Sequence, residues 1–293
     1  MIKFMAYKWL YFLISAAVLL PGIYSLMRWQ FRPSIDFTGG ALIEIKNEKI
    51  KTKEDIEKVK NIFLKENIEV GSIQSSAENS YLIRSKSVTL EQKDKVEKAI
   101  EKEFGKTEEK RFETVGPTLG KEMLNKTILA AILAAIAILT YVAYAFRNVK
   151  YGAAAVLALI HDLLVVSGIF SLLGHFKGVE VDILFVTAIL TTMSFSVHDT
   201  IVVFDRIRES IKRAPNLPLE QLADRAINET MVRSLNNSLT IVFMLVALLL
   251  LGGETIKWFI LALLIGTISG TYSSPFVATP ILVVWQKIKD KKR

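Results

Sequence analysis

The stretch ILFVTAILTTMSFSVHDTIVVF, Ile183 to Phe204, sets a single carboxylate, Asp199, inside an otherwise apolar and hydroxyl-rich run. At about 1.5 Å of rise per residue, a helix of this length crosses roughly 30 Å of hydrocarbon. Working outward, five more segments pass the same test: Trp9 to Met27, Met123 to Phe146, Tyr151 to Leu173, Ser234 to Gly252 and Trp258 to Trp285. The N-terminal run has no small-residue cleavage pattern, because Pro21, Gly22 and bulky Tyr24 lie inside it, so it reads as an uncleaved span. The sequence predicts an α-helical polytopic membrane protein with six transmembrane helices.

Composition agrees with that reading. Of 293 residues, 51% are hydrophobic and the net charge is +8. Arg32 to Glu122 contains 18 Lys/Arg and 18 Asp/Glu, so the whole positive excess belongs to the membrane half. That placement favours anionic lipid headgroups over nucleic acid, which would select a basic patch on the soluble part. Cysteine is absent, which excludes disulfides and thiolate metal sites.

Lys/Arg in short loops is retained on the cytoplasmic side. Lys3, Lys8, Arg147, Lys150, the basic residues between Arg206 and Arg233, and the tail from Lys287 to Arg293 fall on one side. Only Lys177 and Lys257 fall in the short loops of the other. The expectation is a multi-pass protein of the cell (inner or plasma) membrane with both termini cytoplasmic.

Four regions follow: 1–29, a cytoplasmic N-terminus and first span; 30–120, an extracytoplasmic α+β domain; 121–286, a five-helix bundle; and 287–293, a basic tail. Within 30–120, Ala41 to Lys46 alternates like a strand, and Thr52 with Asp55 opens a helix as a capping-box variant. Ile68 to Gln74 and Tyr81 to Ser85 read as strands, Thr89 with Gln92 opens a second helix, and a last strand lies near Lys110 to Val115. That order predicts a small ferredoxin-like domain. In loop 205–233, Leu219, Leu222, Ala223, Ala226 and Ile227 recur at helical spacing opposite charges, which predicts an interfacial amphipathic helix.

Polarity inside hydrocarbon carries the functional signal. A charge at the bilayer centre costs about 2.5 to 3.5 kcal/mol on insertion scales, so an intramembrane acid faces a protein interior or a wet cavity. Thr192, Ser196 and Asp199 fall at i, i+4 and i+7, and Arg233, Asn236, Asn237 and Thr240 repeat the pattern in the fifth span. Arg233 is the natural electrostatic partner of Asp199, and a carboxyl alternating between burial and that guanidinium could take a proton from one side and release it to the other. The plainer reading is a static pair pinning two helices. His161 and Asp162 in the third span, and His198 beside Asp199, are further polar points for which a packing role competes. No pair has metal-ligand or nucleophile-base spacing, so no cofactor, metal or enzymatic activity is expected.

With these segments in hand, the chain resembles the SecF branch of the SecD/SecF export-subunit family, within the RND superfamily. The resemblance rests on IDFTGG (Ile35 to Gly40), VGPTLGKE (Val115 to Glu122), His161-Asp162, DTIVVFDRIRE (Asp199 to Glu209), NETMVRSLNNSLT (Asn228 to Thr240) and GTYSSPFVATP (Gly270 to Pro280). It implies that Asp199 and Arg233 belong to an ion-conducting site. It also implies that the chain works with SecD, using the proton or sodium motive force to draw an unfolded preprotein out of SecYEG. The family usually has Asn where this chain has His198. Two other readings are an RND-type exporter half for small amphiphiles, for which about 90 outer residues are too few, and a structural translocon scaffold.

Overall fold

A computed structural model describes residues 2–77, 79–146 and 148–290. Arg147 and the tail residues Lys291 to Arg293, which entered the charge argument, lie outside the described residues. After a short 3₁₀ turn at Phe4–Tyr7 come α1 (Lys8–Arg28), α2 (Ile35–Thr38), β1 (Gly40–Lys46), α3 (Lys53–Lys65), β2 (Val70–Ala77), β3 (Ser80–Ser85), α4 (Leu90–Phe104) and β4 (Glu108–Val115). Then follow α5 (Pro117–Phe146), α6 (Val149–Lys177), α7 (Ile183–Arg213), α8 (Leu219–Leu251), α9 (Glu254–Ser273), a π-helical turn (Ser274–Ala278) and α10 (Thr279–Asp290). The chain divides into two compact units, Pro33–Ile128 and the remainder.

In the smaller unit the sheet is antiparallel with strand order β2-β3-β1-β4, and α3 and α4 are the two crossovers. This is the ferredoxin-like arrangement that the order of elements predicts. Thr52 and Asp55 cap α3 reciprocally, as Thr89 and Gln92 cap α4, satisfying N–H groups that the first turn leaves open. Alternate residues of the strands, Ile43, Ile45 and Ile83, pack with Val59 and Phe63 of α3 and Val96, Ile100 and Phe104 of α4. Helices on one face of the sheet therefore account for the core.

The IDFTGG segment folds as one helical turn followed by two glycines. Ser34 caps the single helical turn α2 by accepting from the Asp36 N–H. Gly39 and Gly40 then take positive φ angles of 70° and 126°, which L side chains rarely adopt. A Cβ on Gly39 would stand 2.7 Å from Pro117 Cα, and one on Gly120 would stand 2.7 Å from Gly39 N. Two of the recognised motifs, IDFTGG and VGPTLGKE, are thus the two sides of one close backbone contact.

The larger unit holds the helical bundle. Among the described residues six helical segments are long and apolar enough to cross a membrane: Phe4–Arg28, Pro117–Phe146, Val149–Lys177, Ile183–Arg213, Leu219–Leu251 and Thr255–Ile288. α1 and α6 meet through Gly22 and Gly168, where a Cβ on Gly168 would lie 2.6 Å from Gly22 Cα, and through the Ser25–Ser171 hydroxyl pair at 2.7 Å. Small residues at such crossings let backbones approach and van der Waals contact replace the hydrophobic drive that lipid does not supply.

One expectation is corrected. Residues 205–233 do not form a separate interfacial helix: α7 continues to Arg213 and α8 begins at Leu219, leaving only 214–218 as the link. The apolar stripe Leu222, Ala223, Ala226 and Ile227 is buried, and Ala223, Ala226 and Ile227 share a core with Met5, Phe204 and Ile207. The amphipathic pattern is real, but its apolar side is covered by protein. The N-terminal turn seals it, since the Met5 N–H donates to Asp224 Oδ1 at 2.8 Å and Lys8 pairs with Glu220 at 2.6 Å.

Candidate functional site

The site is built where α7, α8 and α9 run side by side. α7 and α9 interlock by small residues four apart. A Cβ on Gly266 would come 2.0 Å from Thr192 Oγ1, one on Gly270 would come 3.3 Å from Ser196 Cα, and Thr200 Oγ1 and Ser274 Oγ lie 2.9 Å apart. The side chains of Thr192, Ser196 and Thr200 therefore face α9. The hydroxyls of Thr192 and Ser196 are buried with no hydrogen-bond partner among the described residues.

Asp199 stands off this seam. It borders α8 as well as α9, lining a cleft with residues of both helices. There its Oδ2 accepts from Ser234 Oγ at 2.9 Å. A cleft on this side is lined by His198, Asp199, Val202, Arg233, Ser234 and Asn237. A smaller one beside it is shared by Phe195, His198, Asp199, Asn237, Ser238 and Thr271, among others.

Toward the polar ends of α7 and α8 the groove continues. Val202 and Arg233 also line a cleft with Asp205, Arg206, Glu209 and Glu229, where Arg206 bridges Glu209 and Glu229. A line of polar side chains thus runs from a charged cluster, past Arg233, to the half-buried carboxyl of Asp199. Arg233 shares the cleft with Asp199, but no ion pair within 4.0 Å joins them among the described residues, and Ser234 holds the carboxylate instead.

The residues singled out by sequence thus separate into groups. His198, Asp199, Arg233 and Asn237 meet in one cleft; Thr192 and Ser196 lie in the α7–α9 seam. Asn236 and Thr240 are exposed side chains of α8 outside both clefts around Asp199. His161 and Asp162 are buried on α6 with partners of their own: Ser15 for the imidazole, Ser269 and Ser273 for the carboxylate. Ser234 escaped sequence reasoning although it adjoins Arg233, because a serine in a span is ordinary and its partner lies 35 residues away. No group of three or more His, Cys, Asp or Glu that could hold a metal ion occurs among the described residues.

Residues 95–288 match the family described as protein export membrane protein SecD/SecF, C-terminal. The protein translocase subunit SecF of Thermobaculum terrenum is 42% identical over 98% of this chain and 94% of its own. The chain belongs to the SecF family of protein translocase subunits. Its role is that of a SecF-like subunit in Sec protein export, as a multi-pass membrane protein. SecF of Anaerolinea thermophila is 38% identical, again over 98% of this chain and 94% of its own. The crystal structure of SecDF, a translocon-associated membrane protein from Thermus thermophilus, superposes with a TM-score of 0.84 at 32% identity, covering 98% of this chain. This SecF-family chain corresponds to 39% of that fused chain.

Proposed function

We propose that the chain couples an ion gradient to late steps of preprotein translocation, with Asp199 as the ion-binding carboxyl and Arg233 as its electrostatic counterpart. The observation that supports this is the position of Asp199. It sits in an apolar helix, held by one neutral hydroxyl and opening on a cleft that also contains Arg233. An acid so placed is costly in a membrane unless it can change its charge or its partner. In the resting arrangement Ser234 is the partner; a shift of α8 along α7 brings Arg233 to the carboxylate, and the ion is released as the guanidinium arrives.

We take the proton as the ion, since a single carboxyl suffices to bind and release one. Asn237 lines the cleft, Thr192, Ser196, His161 and Asp162 are buried within the bundle, and Asn236 and Thr240 lie on the exposed side of α8. The remaining part of the fused SecDF chain has its counterpart in SecD, which we take as the obligate partner, with SecYEG supplying the channel and the emerging preprotein. Both termini are read as cytoplasmic and the ferredoxin-like domain as extracytoplasmic, where it meets the emerging chain; Lys3, Lys8 and Lys150 on one side support that orientation.

The experiment is export into inverted membrane vesicles with and without a proton gradient. Asp199→Asn and, separately, Arg233→Met are expected to insert and to co-purify with SecD while losing gradient-dependent stimulation. Full stimulation in either variant would sink the ion-coupling role and leave a scaffold.

A further inference from the structure

Between the start of α6, the link 214–218 and α10 lies a cleft of about 440 Å³ that is separate from those around Asp199. Its volume falls within the roughly 300–1,000 Å³ of small-molecule sites. The polar lining comes from the start of α6, as Asn148, Lys150 and Tyr151, and from Gln286 of α10. The apolar lining includes Leu217 of the link, Leu219 and Leu222 of α8, and Leu282 of α10. No carboxylate lines it among the described residues, whereas the cleft at Arg206 holds Asp205, Glu209 and Glu229.

Two side chains in this lining lack a full set of partners. Lys150 Nζ donates to the neutral Gln286 Oε1 and forms no ion pair within 4.0 Å among the described residues. Its charge is therefore uncompensated, and an ammonium has three hydrogens to give. Glu220, next to Leu219, is already taken by Lys8 and Lys287, each at 2.6 Å. Tyr151 is 8% exposed, with its ring packed on Phe146 and Phe204, and its hydroxyl has no hydrogen-bond partner among the described residues. A hydroxyl on so buried a side chain is normally bonded, and the cleft that Tyr151 lines is where a partner can enter. The positive end of α6 lies at the same edge, where Asn148 caps the helix by accepting from the Lys150 N–H at 3.1 Å.

This chemistry selects the occupant. An ammonium, a free hydroxyl and a helix N-terminus without a carboxylate beside them suit an anion, and the leucines next to them suit an apolar chain attached to it. Leu217 is 43% exposed at the link and Trp285, which precedes Gln286, is 38% exposed, as befits the boundary between lipid and water. We propose that the cleft binds an anionic phospholipid, its phosphodiester held by Lys150 and Tyr151 and its acyl chains lying along Leu217, Leu219 and Leu282. Basic pockets between spanning helices take such headgroups. A lipid seated there touches α6, α8 and α10 at once and ties the link to them. The proposal does not depend on the ion-coupling role of Asp199, because lipid binding is measured directly.

The test titrates lipid onto the full chain in detergent micelles and follows binding by native mass spectrometry. Phosphatidylglycerol is expected to bind about tenfold more tightly than phosphatidylcholine with the same acyl chains, and equal affinities would overturn the proposal. Lys150→Gln is expected to weaken phosphatidylglycerol about tenfold and Tyr151→Phe about threefold. Lys3→Gln, at the same end of the bundle but outside the cleft, is expected to change nothing; a loss equal to that of Lys150→Gln would show diffuse surface attraction and overturn the site. Tyr151→Phe keeps the ring in its aromatic packing, so an unchanged affinity in that variant overturns the site even where Lys150→Gln is unstable. Inorganic phosphate and a soluble acidic peptide bring charge without acyl chains and are expected not to displace the lipid. Displacement by either would overturn the assignment to a phospholipid.

Discussion

Ser234 on α8 donates its hydroxyl hydrogen to Oδ2 of Asp199 on α7 across 2.9 Å, which makes this serine, rather than the adjacent Arg233, the resting partner of the carboxylate. Ser234→Ala should therefore leave the protein folded, at a cost of about 0.5–1.5 kcal/mol for a lost hydrogen bond. The informative readout is the pH profile of gradient-driven export, which should move because the carboxylate has lost a donor. A profile superimposable on wild type would show that the bond does not bear on coupling.

Gly168 and Gly152 both lie on α6 and make opposite demands. A methyl at Gly168 would press on the Gly22 backbone, which cannot step aside, whereas one at Gly152 meets nothing within 4 Å. Gly168→Ala should lower stability by about 1–3 kcal/mol through overpacking. Gly152→Ala should be neutral or stabilising by up to about 1 kcal/mol, as glycine is a poor helix former. Thermal unfolding of the two variants in detergent checks the contrast, and equal melting temperatures would refute the α1–α6 contact.

Thr192 and Ser196 keep buried hydroxyls in the α7–α9 seam without hydrogen-bond partners among the described residues. Removing an orphan hydroxyl also removes the penalty for burying it, so Ser196→Ala should leave stability unchanged or raise it by about 1 kcal/mol. If it instead lowers stability by more than that amount in a denaturation series, the hydroxyl has a bond that the resting arrangement does not contain.

In the outer unit, the backbone N–H groups of Thr52 and Lys51 and the Thr52 hydroxyl hold the Asp55 carboxyl below its ordinary range. A carboxylate with a depressed folded-state pKa stabilises the fold above its unfolded value and loses that contribution as pH falls through the folded one. Protection of the α3 amides against hydrogen exchange should consequently fall on acidification in the wild-type chain. Asp55→Asn should show lower protection near neutrality and a flatter acid dependence. Parallel curves for the two proteins would exclude Asp55 as the titrating cap.

The architecture was legible where the signal is local. Spans declare themselves by length and hydropathy, and capping boxes by residues three apart, so both survive without tertiary information. The stripe from Leu219 to Ile227 shows the limit: periodicity marks an apolar face but is silent about whether lipid or Phe204 and Ile207 cover it. The same holds for Asp199. Its spacing suggests a face shared with Thr192 and Ser196, yet glycines of α9 pack on those two while Ser234 of α8 takes Asp199, a division that helical periodicity does not encode. The hydroxyls that hold Asp162 lie 107 and 111 residues away, and no pattern within α6 could name them.

The π-helical turn at Ser274–Ala278 fits one more residue into the chain than an uninterrupted α-helix would use. Everything beyond it is out of phase with α9 by roughly 100°. That offset is what aims Leu282 and Val283 inward and brings Lys287 to Glu220 at 2.6 Å. The length of this short segment therefore works like the tooth count of a gear: dropping a single residue would keep the composition of α10 intact yet present its wrong side to the rest of the protein.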